Sequence, residues 1–323
     1  MKKNIAVVTG GFSGEAEISL KSAETVLKHI DKNKYEPYKA IILKDRWYVE
    51  HEATEYAIDK NDFSIQQNGK KISFDGVFVI LHGTPGEDGK IQGYFDMIDM
   101  PYTSCGATTS SLTFNKAICN RLLSTYDINV AKSILSYRDN PVDMESILDK
   151  IGTPCFVKPN NGGSSIGISK VNTPEHLSGA IQKAFNEDSE IIIETFIEGT
   201  EITCGVLSKN NKPKALAITE IVCENEFFDF EAKYNDHKTQ EITPARIDNK
   251  TYQKCLTLSE FIYETLKCKG MIRIDYMVSD KKLFVIEVNT IPGLTAASLL
   301  PQQAEQAGIS IKEMFSHVIE TMF

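Results

Sequence analysis

The sequence predicts a mixed α/β protein that begins with a parallel α/β unit. Three observations carry this reading. Strand-like runs alternate with helix-periodic runs over the first hundred residues. Further strand-like runs flank a Gly/Ser-rich loop at 158–167. Two runs rich in Val, Ile, Tyr and Phe face each other across a short polar turn between residues 270 and 293. A length of 323 residues favours two or three domains.

The elements follow in order. Residues 4–9 form an apolar strand that runs into Gly10-Gly11. Over 17–30, Ile18, Ala23, Val26, Leu27 and Ile30 recur at helical spacing. Strands follow at 38–43 and 76–81, then a helix at 91–98, so the first domain ends near Cys105. Loops at the strand C-termini of such a sheet are where ligands bind. Residues 110–126 read as one helix with Leu112, Ile118, Leu122 and Leu123 apolar. Strands are expected at 155–158, 168–171, 190–197 and 202–207, and a helix begins at Thr173-Pro174-Glu175 with Thr173 as N-cap. Residues 224–246 are irregular, aromatic and charged, which suggests a long functional loop. A helix spans 252–266, and a last one starts at Ser310, where Ser310 and Glu313 form a capping box.

Composition excludes several function classes. The net charge of −9 argues against a nucleic-acid coat, which needs a basic face. Seven cysteines without a C-x-x-C pair suggest neither a disulfide framework nor a zinc site. No apolar run is long enough for a membrane helix, and the N-terminus lacks a signal-peptide core, so a cytoplasmic protein is expected.

The C-terminal hairpin carries the strongest chemistry. Side chains alternate along a strand, so Arg273 and Asp275 share a face, as do Glu287 and Asn289. Pairing would bring two carboxylates, an amide oxygen and a guanidinium together. Mg²⁺ selects hard oxygen donors with room for phosphate, and an Arg suits phosphoryl or oxyanion charge. The polar residues interrupt otherwise buried-looking runs, where an unpaired charge is costly. This favours a magnesium-nucleotide enzyme over a solvated hairpin.

Four loops add to it. KPNNGGSSIG (158–167) can cradle phosphate with backbone N–H groups and Lys158, although it is no Walker A loop. TGGFSGEAEISL (9–20) fails the G-x-G-x-x-G spacing, and Glu15 would repel a pyrophosphate but suit an ammonium. HGTPGEDG (82–89) places His82 at a strand end, and FFDFEAKY (227–234) reads as a lid or active-site loop holding Lys233 and Tyr234.

Taken together, GGFSGEAEISL, HGTPGEDG, KPNNGGSSIG, EGTEIT, EAKY, RIDY and EVNTIPGLTAASLLP resemble the D-alanine–D-alanine ligases of the ATP-grasp family, from residue 4 to the last helix. The resemblance implies an ATP-grasp fold with a substrate-binding unit at 1–105, a central unit at 106–197, and a C-terminal unit at 198–323 that holds metal and catalytic residues. It implies that Lys116 and Lys158 contact ATP phosphates. Glu194, Thr195, Phe196 and Ile197 would hold adenine, largely through backbone, and Glu201 the ribose. Asp275, Glu287 and Asn289 would hold two Mg²⁺ ions, with Mn²⁺ as a substitute. Glu15 would accept the ammonium of the first of two D-alanines, and Ser298 with the Leu299 amide the carboxylate of the second. Arg273 and the Gly293 amide would form the oxyanion hole. Ser164 and Tyr234, linked with Glu15, would orient the lid, Lys233 would steady the transferred phosphate, and His82 would lie near the second substrate. A homodimer is implied as well.

Thr195 departs from the Lys of many relatives, and HGTPGEDG differs from the HGRGGEDG of some. The alternatives are a D-alanine–D-lactate ligase, against which Tyr234 argues, another ATP-grasp carboxylate–amine ligase, and a non-catalytic nucleotide-binding module. The complete set Lys116, Lys158, Arg273, Asp275, Glu287 and Asn289 argues against the module, and the failed dinucleotide fingerprint argues against a dehydrogenase.

Overall fold

A computed structural model describes residues 2–209, 212–223, 239–295 and 297–323, organised around three sheets. In the first, β1 (Lys3–Gly10) lies between β2 (Tyr35–Ile42) and β7 (Gly76–Val79), parallel to both. The crossover is α1 (Ala16–His29), which buries Ser19, Ser22, Ala23 and Val26. Four short strands extend this sheet by antiparallel pairing: β3 (Trp47–His51), β4 (Thr54–Asp59), β5 (Ser64–Gln67) and β6 (Lys70–Ile72). They are short, and all but β5 bury at most one residue, which leaves little hydrophobic pattern to read. Helix α2 (Lys90–Met97) follows.

The expected single helix at 110–126 is two, α3 (Ala107–Phe114) and α4 (Lys116–Ser124). Asn115 breaks it: its backbone is extended, and its side chain accepts the Ile118 N–H at 3.0 Å as an N-cap. The restart rotates the apolar stripe, so Ile118 is exposed while Ala117, Cys119 and Leu123 are buried.

The middle sheet has four antiparallel strands in the order β10 (Ser169–Val171), β9 (Cys155–Pro159), β11 (Glu190–Thr195), β8 (Ser133–Tyr137). Helices α5 (Met144–Lys150) and α6 (Leu177–Glu187) contribute Ile147, Leu177, Ala180 and Ala184 to its own core. Thr173 does not cap with its side chain, which instead lies 3.2 Å from His176 Nδ1. A 3₁₀ turn at Pro174–His176 leads into α6.

The third sheet is antiparallel, in the order β14 (Thr239–Ile242), β13 (Lys212–Cys223), β12 (Thr200–Lys209), β15 (Met271–Ser279), β16 (Lys282–Asn289). The hairpin β15–β16 turns through Asp280 and Lys281, both at positive φ, which matches the twist of the strands. Helix α7 (Asn249–Thr265) covers one face, while α8 (Leu299–Gln306) contacts β12 and β13 and α9 (Ile311–Glu320) contacts β12. The capping box at Ser310 and Glu313 is formed.

The first and third sheets share a core. Met314, Phe315, Val318 and Ile319 of α9 lie in one cluster with β1, β7, Leu207 and Met271, and the Phe78 and Phe315 rings meet edge-on at 5.5 Å. All seven cysteines are free, and six are buried. Among the described residues, no helix is long and apolar enough to cross a membrane.

Candidate active site

The register of β15 and β16 sets Arg273 opposite Asn289 and Asp275 opposite Glu287, so all four side chains share one face. The Arg273 guanidinium donates twice to Asp275, at 2.8 and 2.7 Å, and Asn289 Nδ2 donates to the same carboxylate at 3.0 Å. Lys116 Nζ stands 3.7 Å from Glu287. Among the described residues, no three His, Cys, Asp or Glu side chains form a cage for a metal. The donors here are two carboxylates and an amide beside the cationic side chains of Arg273 and Lys116. That set fits Mg²⁺, which takes one or two carboxylates and completes its shell with phosphate and water.

This face forms one wall of a cleft of about 460 Å³ between the middle and third sheets. The opposite wall carries Lys158, from β9, and Glu194 to Ile197, from the end of β11. Lys116, Glu201 and Leu299 also line it. Lys158 Nζ donates to Glu194 Oε2 at 2.6 Å, and Asn120 Nδ2 donates to Glu194 Oε1 at 2.9 Å. Burial alone would lower the Lys158 pKa, but Glu194, with Glu287 and Glu201, outweighs it and raises the ammonium above its ordinary value. The lysine therefore stays charged. Lys116 Nζ donates to Gly162 O at 2.7 Å, which ties α4 to the Gly-rich loop.

The other end of the cleft is built by loops from both outer sheets. Ser164 Oγ donates to Glu15 Oε1 at 2.5 Å, joining residues 149 positions apart. Gly163 admits this approach, because a Cβ there would stand 2.9 Å from Glu15 Oε1. His82 is buried, with Nε2 3.4 Å from Ser22 Oγ, and the Leu294 N–H donates to that same hydroxyl at 3.2 Å. Burial, helped by the charge of Arg273, drives the His82 pKa down to about 4, so the imidazole is neutral near pH 7. Gly293 sits against Ser298, whose Oγ lies 2.8 Å from Thr295 Oγ1 and which begins α8 with Leu299.

The cleft thus lines up Lys116, Lys158, Glu194, Thr195, Phe196, Ile197, Glu201, Arg273, Asp275, Glu287 and Leu299. Glu15, Ser164, His82, Gly293 and Ser298 gather beside it, while Lys233 and Tyr234 lie outside the described residues. Sequence reasoning missed Glu87 and Asn120. Glu87 accepts the Gly83 N–H at 2.7 Å, and burial, then the charge of Glu15, pushes its carboxyl up to about 8. Its only sequence signal was membership of HGTPGEDG; Asn120 had none beyond a polar residue on a helix.

Two family models match the chain, the D-ala D-ala ligase N-terminus over residues 4–105 and the D-ala D-ala ligase C-terminus over 122–320. The chain belongs to the D-alanine–D-alanine ligase family. It is 50% identical to the D-alanine–D-alanine ligase of Azobacteroides pseudotrichonymphae, over 99% of this chain and 100% of that one. It is 48% identical to that of Parabacteroides distasonis, over 99% and 97%. Among solved structures it resembles the VanG D-Ala:D-Ser ligase of Enterococcus faecalis, with TM-score 0.89 and 32% identity over all of both chains. It also resembles the Bacillus anthracis D-alanine–D-alanine ligase complexed with ATP, with TM-score 0.81 and 31% identity over 99% and 97%. The fold is that of the ATP-grasp ligases, as the sequence predicts.

Proposed function

We propose that this chain joins two D-alanines at the expense of ATP, through a D-alanyl phosphate, giving D-alanyl-D-alanine, ADP and phosphate for peptidoglycan synthesis. The observation that carries this is one cleft lined by two phosphate-type lysines, Lys116 and Lys158, and by Arg273, Asp275 and Glu287, with Asn289 beside them. A carboxylate is a poor electrophile, and phosphorylation activates it. Asp275, Glu287 and Asn289 would hold Mg²⁺, or Mn²⁺ in its place, and the bound ion would neutralise phosphate charge. Lys116 and Lys158 bind the phosphate oxygens. The strand end from Glu194 to Ile197 holds adenine, and Glu201 the ribose.

Glu15, oriented by Ser164, receives the ammonium of the first D-alanine. Ser298 and the Leu299 amide receive the carboxylate of the second, with neutral His82 nearby. Arg273 and the Gly293 N–H would stabilise the tetrahedral oxyanion. Lys233 and Tyr234 complete the site by steadying the transferred phosphate and orienting the lid, which keeps water from the acyl phosphate. The units at 1–105, 106–197 and 198–323 are read as substrate, nucleotide and metal units of a cytoplasmic homodimer.

The test incubates the chain with ATP, Mg²⁺ and D-alanine and reads phosphate release and dipeptide mass. Phosphate release should require both ATP and D-alanine. Equal turnover with L-alanine would overturn the stereochemical part of the reading.

A further inference from the structure

Gln303 lies in α8, the helix that begins at Ser298 and Leu299, and its side chain is fully buried. It points away from substrate, onto the third sheet. Nε2 donates to Thr203 O and to Thr219 Oγ1, each at 3.0 Å, and Thr219 Oγ1 lies 2.7 Å from Thr243 Oγ1. Oε1 stands 2.7 Å from where a Cβ would be on Gly205. The register gives these contacts their meaning. Thr203 is the cross-strand partner of Asp275, and Gly205 that of Arg273. One glutamine therefore seats the helix of the second-substrate cradle on the strand neighbours of the metal ligand and of the oxyanion donor.

An ordinary core does not need this side chain. Leu or Met would fill the volume without burying an amide. Among the described residues, the buried Gln303 Oε1 and Thr203 Oγ1 find no hydrogen-bond partner, a cost that a purely space-filling role does not explain. Gly205 leaves the amide its room, since any side chain there would also meet Leu300 Cδ1 at 2.3 Å.

We propose that Gln303 is a positioning residue for acceptor binding, fixing the depth and rotation of α8 and hence the Ser298 hydroxyl and Leu299 N–H relative to Arg273; this rests on the ligase activity proposed above. Thr219 and Gly205 are its supports. Gln303 touches no substrate, and its effect travels through the first turn of α8.

The test is Gln303→Met in the full chain, with ATP, Mg²⁺ and D-alanine, reading dipeptide across D-alanine concentration so that the two D-alanine KM values are resolved. The acceptor KM should rise roughly tenfold or more, while the KM values for ATP and for the first D-alanine stay at the wild-type level. Thr219→Val, which removes one of the two acceptors of the amide, should move the same KM by less, and it decides the matter if Gln303→Met does not fold. A lower Tm with an unchanged acceptor KM would overturn the proposal and leave a plain structural tie. If the wild-type chain forms no dipeptide, the activity reading fails instead. Gln303 is then tested by amide hydrogen exchange: faster exchange at 298–303 alone supports positioning, and unchanged exchange overturns it.

Discussion

The cleft is bounded by two junctions of opposite character. The first and third sheets meet through apolar side chains, with Phe78, Phe315, Met314 and Val318 in one continuous core. The middle sheet keeps a separate core and meets α4 through polar groups. Asn160 is the centre of that joint: its O accepts the Lys116 N–H, its Oδ1 the Ala117 N–H, and its Nδ2 donates to Glu190. Apolar joints are close-packed and resist displacement. Hydrogen bonds can be exchanged for water at little net cost. The groups assigned to the amino-acid substrates, other than Ser164 and the undescribed Tyr234, belong to the rigid body. Lys158 and the adenine strand belong to the separately packed lobe, while Glu201, Asp275 and Glu287 lie on the third sheet, so the cleft takes its nucleotide groups from both sides of the polar joint.

This contrast can be broken at either joint. Phe315→Ala should cost about 3–5 kcal/mol by emptying the shared core. In native-state hydrogen exchange, protection should fall together in β1, β7 and α9, while residues 133–195 keep their own local opening. Loss of protection first in the middle lobe would contradict the two-joint description.

The division of chemistry is sharpened by Arg273→Ala. Loss of one oxyanion donor should lower kcat by roughly 10²–10³ with little change in the KM for ATP. A near-normal kcat with lost ATP binding would move Arg273 to the nucleotide side. Asn160→Ala strikes the polar joint. It leaves the buried Ala117 N–H unpartnered, at about 1–3 kcal/mol, and should raise the KM for ATP while the denaturation of the rigid body is unchanged.

The last effect is confined to acid pH. His82 has a depressed folded pKa of about 4 against an ordinary 6.5. Between these values the unfolded chain binds the proton and the folded chain does not, so stability rises with pH across that window and is lost as pH falls through it. His82→Gln should flatten the slope of stability from pH 4 to 6.5, as read by denaturant midpoints. An unaltered slope would show that His82 is solvated.

The sequence was most readable where polar residues interrupt apolar runs. Arg273, Asp275, Glu287 and Asn289 stood out because strand alternation places them on one face, and the register pairs them directly. Lys158 was legible as the lysine opening a Gly/Ser-rich loop, Lys116 only through family likeness, and the cleft contains both. The strands β3 to β6 went unread, since such short strands bury too little to show a period. Asn115 was hidden inside a helical pattern, because capping depends on one side chain rather than on periodicity. Asn120 and Gln303 were invisible for a related reason: each matters through a hydrogen-bond partner distant in sequence.

The shared core also fixes an order of assembly during synthesis. The first sheet precedes the others in the chain, yet Phe78 rests against Phe315 of α9, the last helix described. That face stays open to solvent or to a chaperone until α9 has emerged. The middle lobe has no such wait, for its strands pair only among themselves and the last of them ends at Thr195. A ribosome stalled before residue 311 would therefore display the apolar face that α9 covers, beside a middle sheet whose strands are all made.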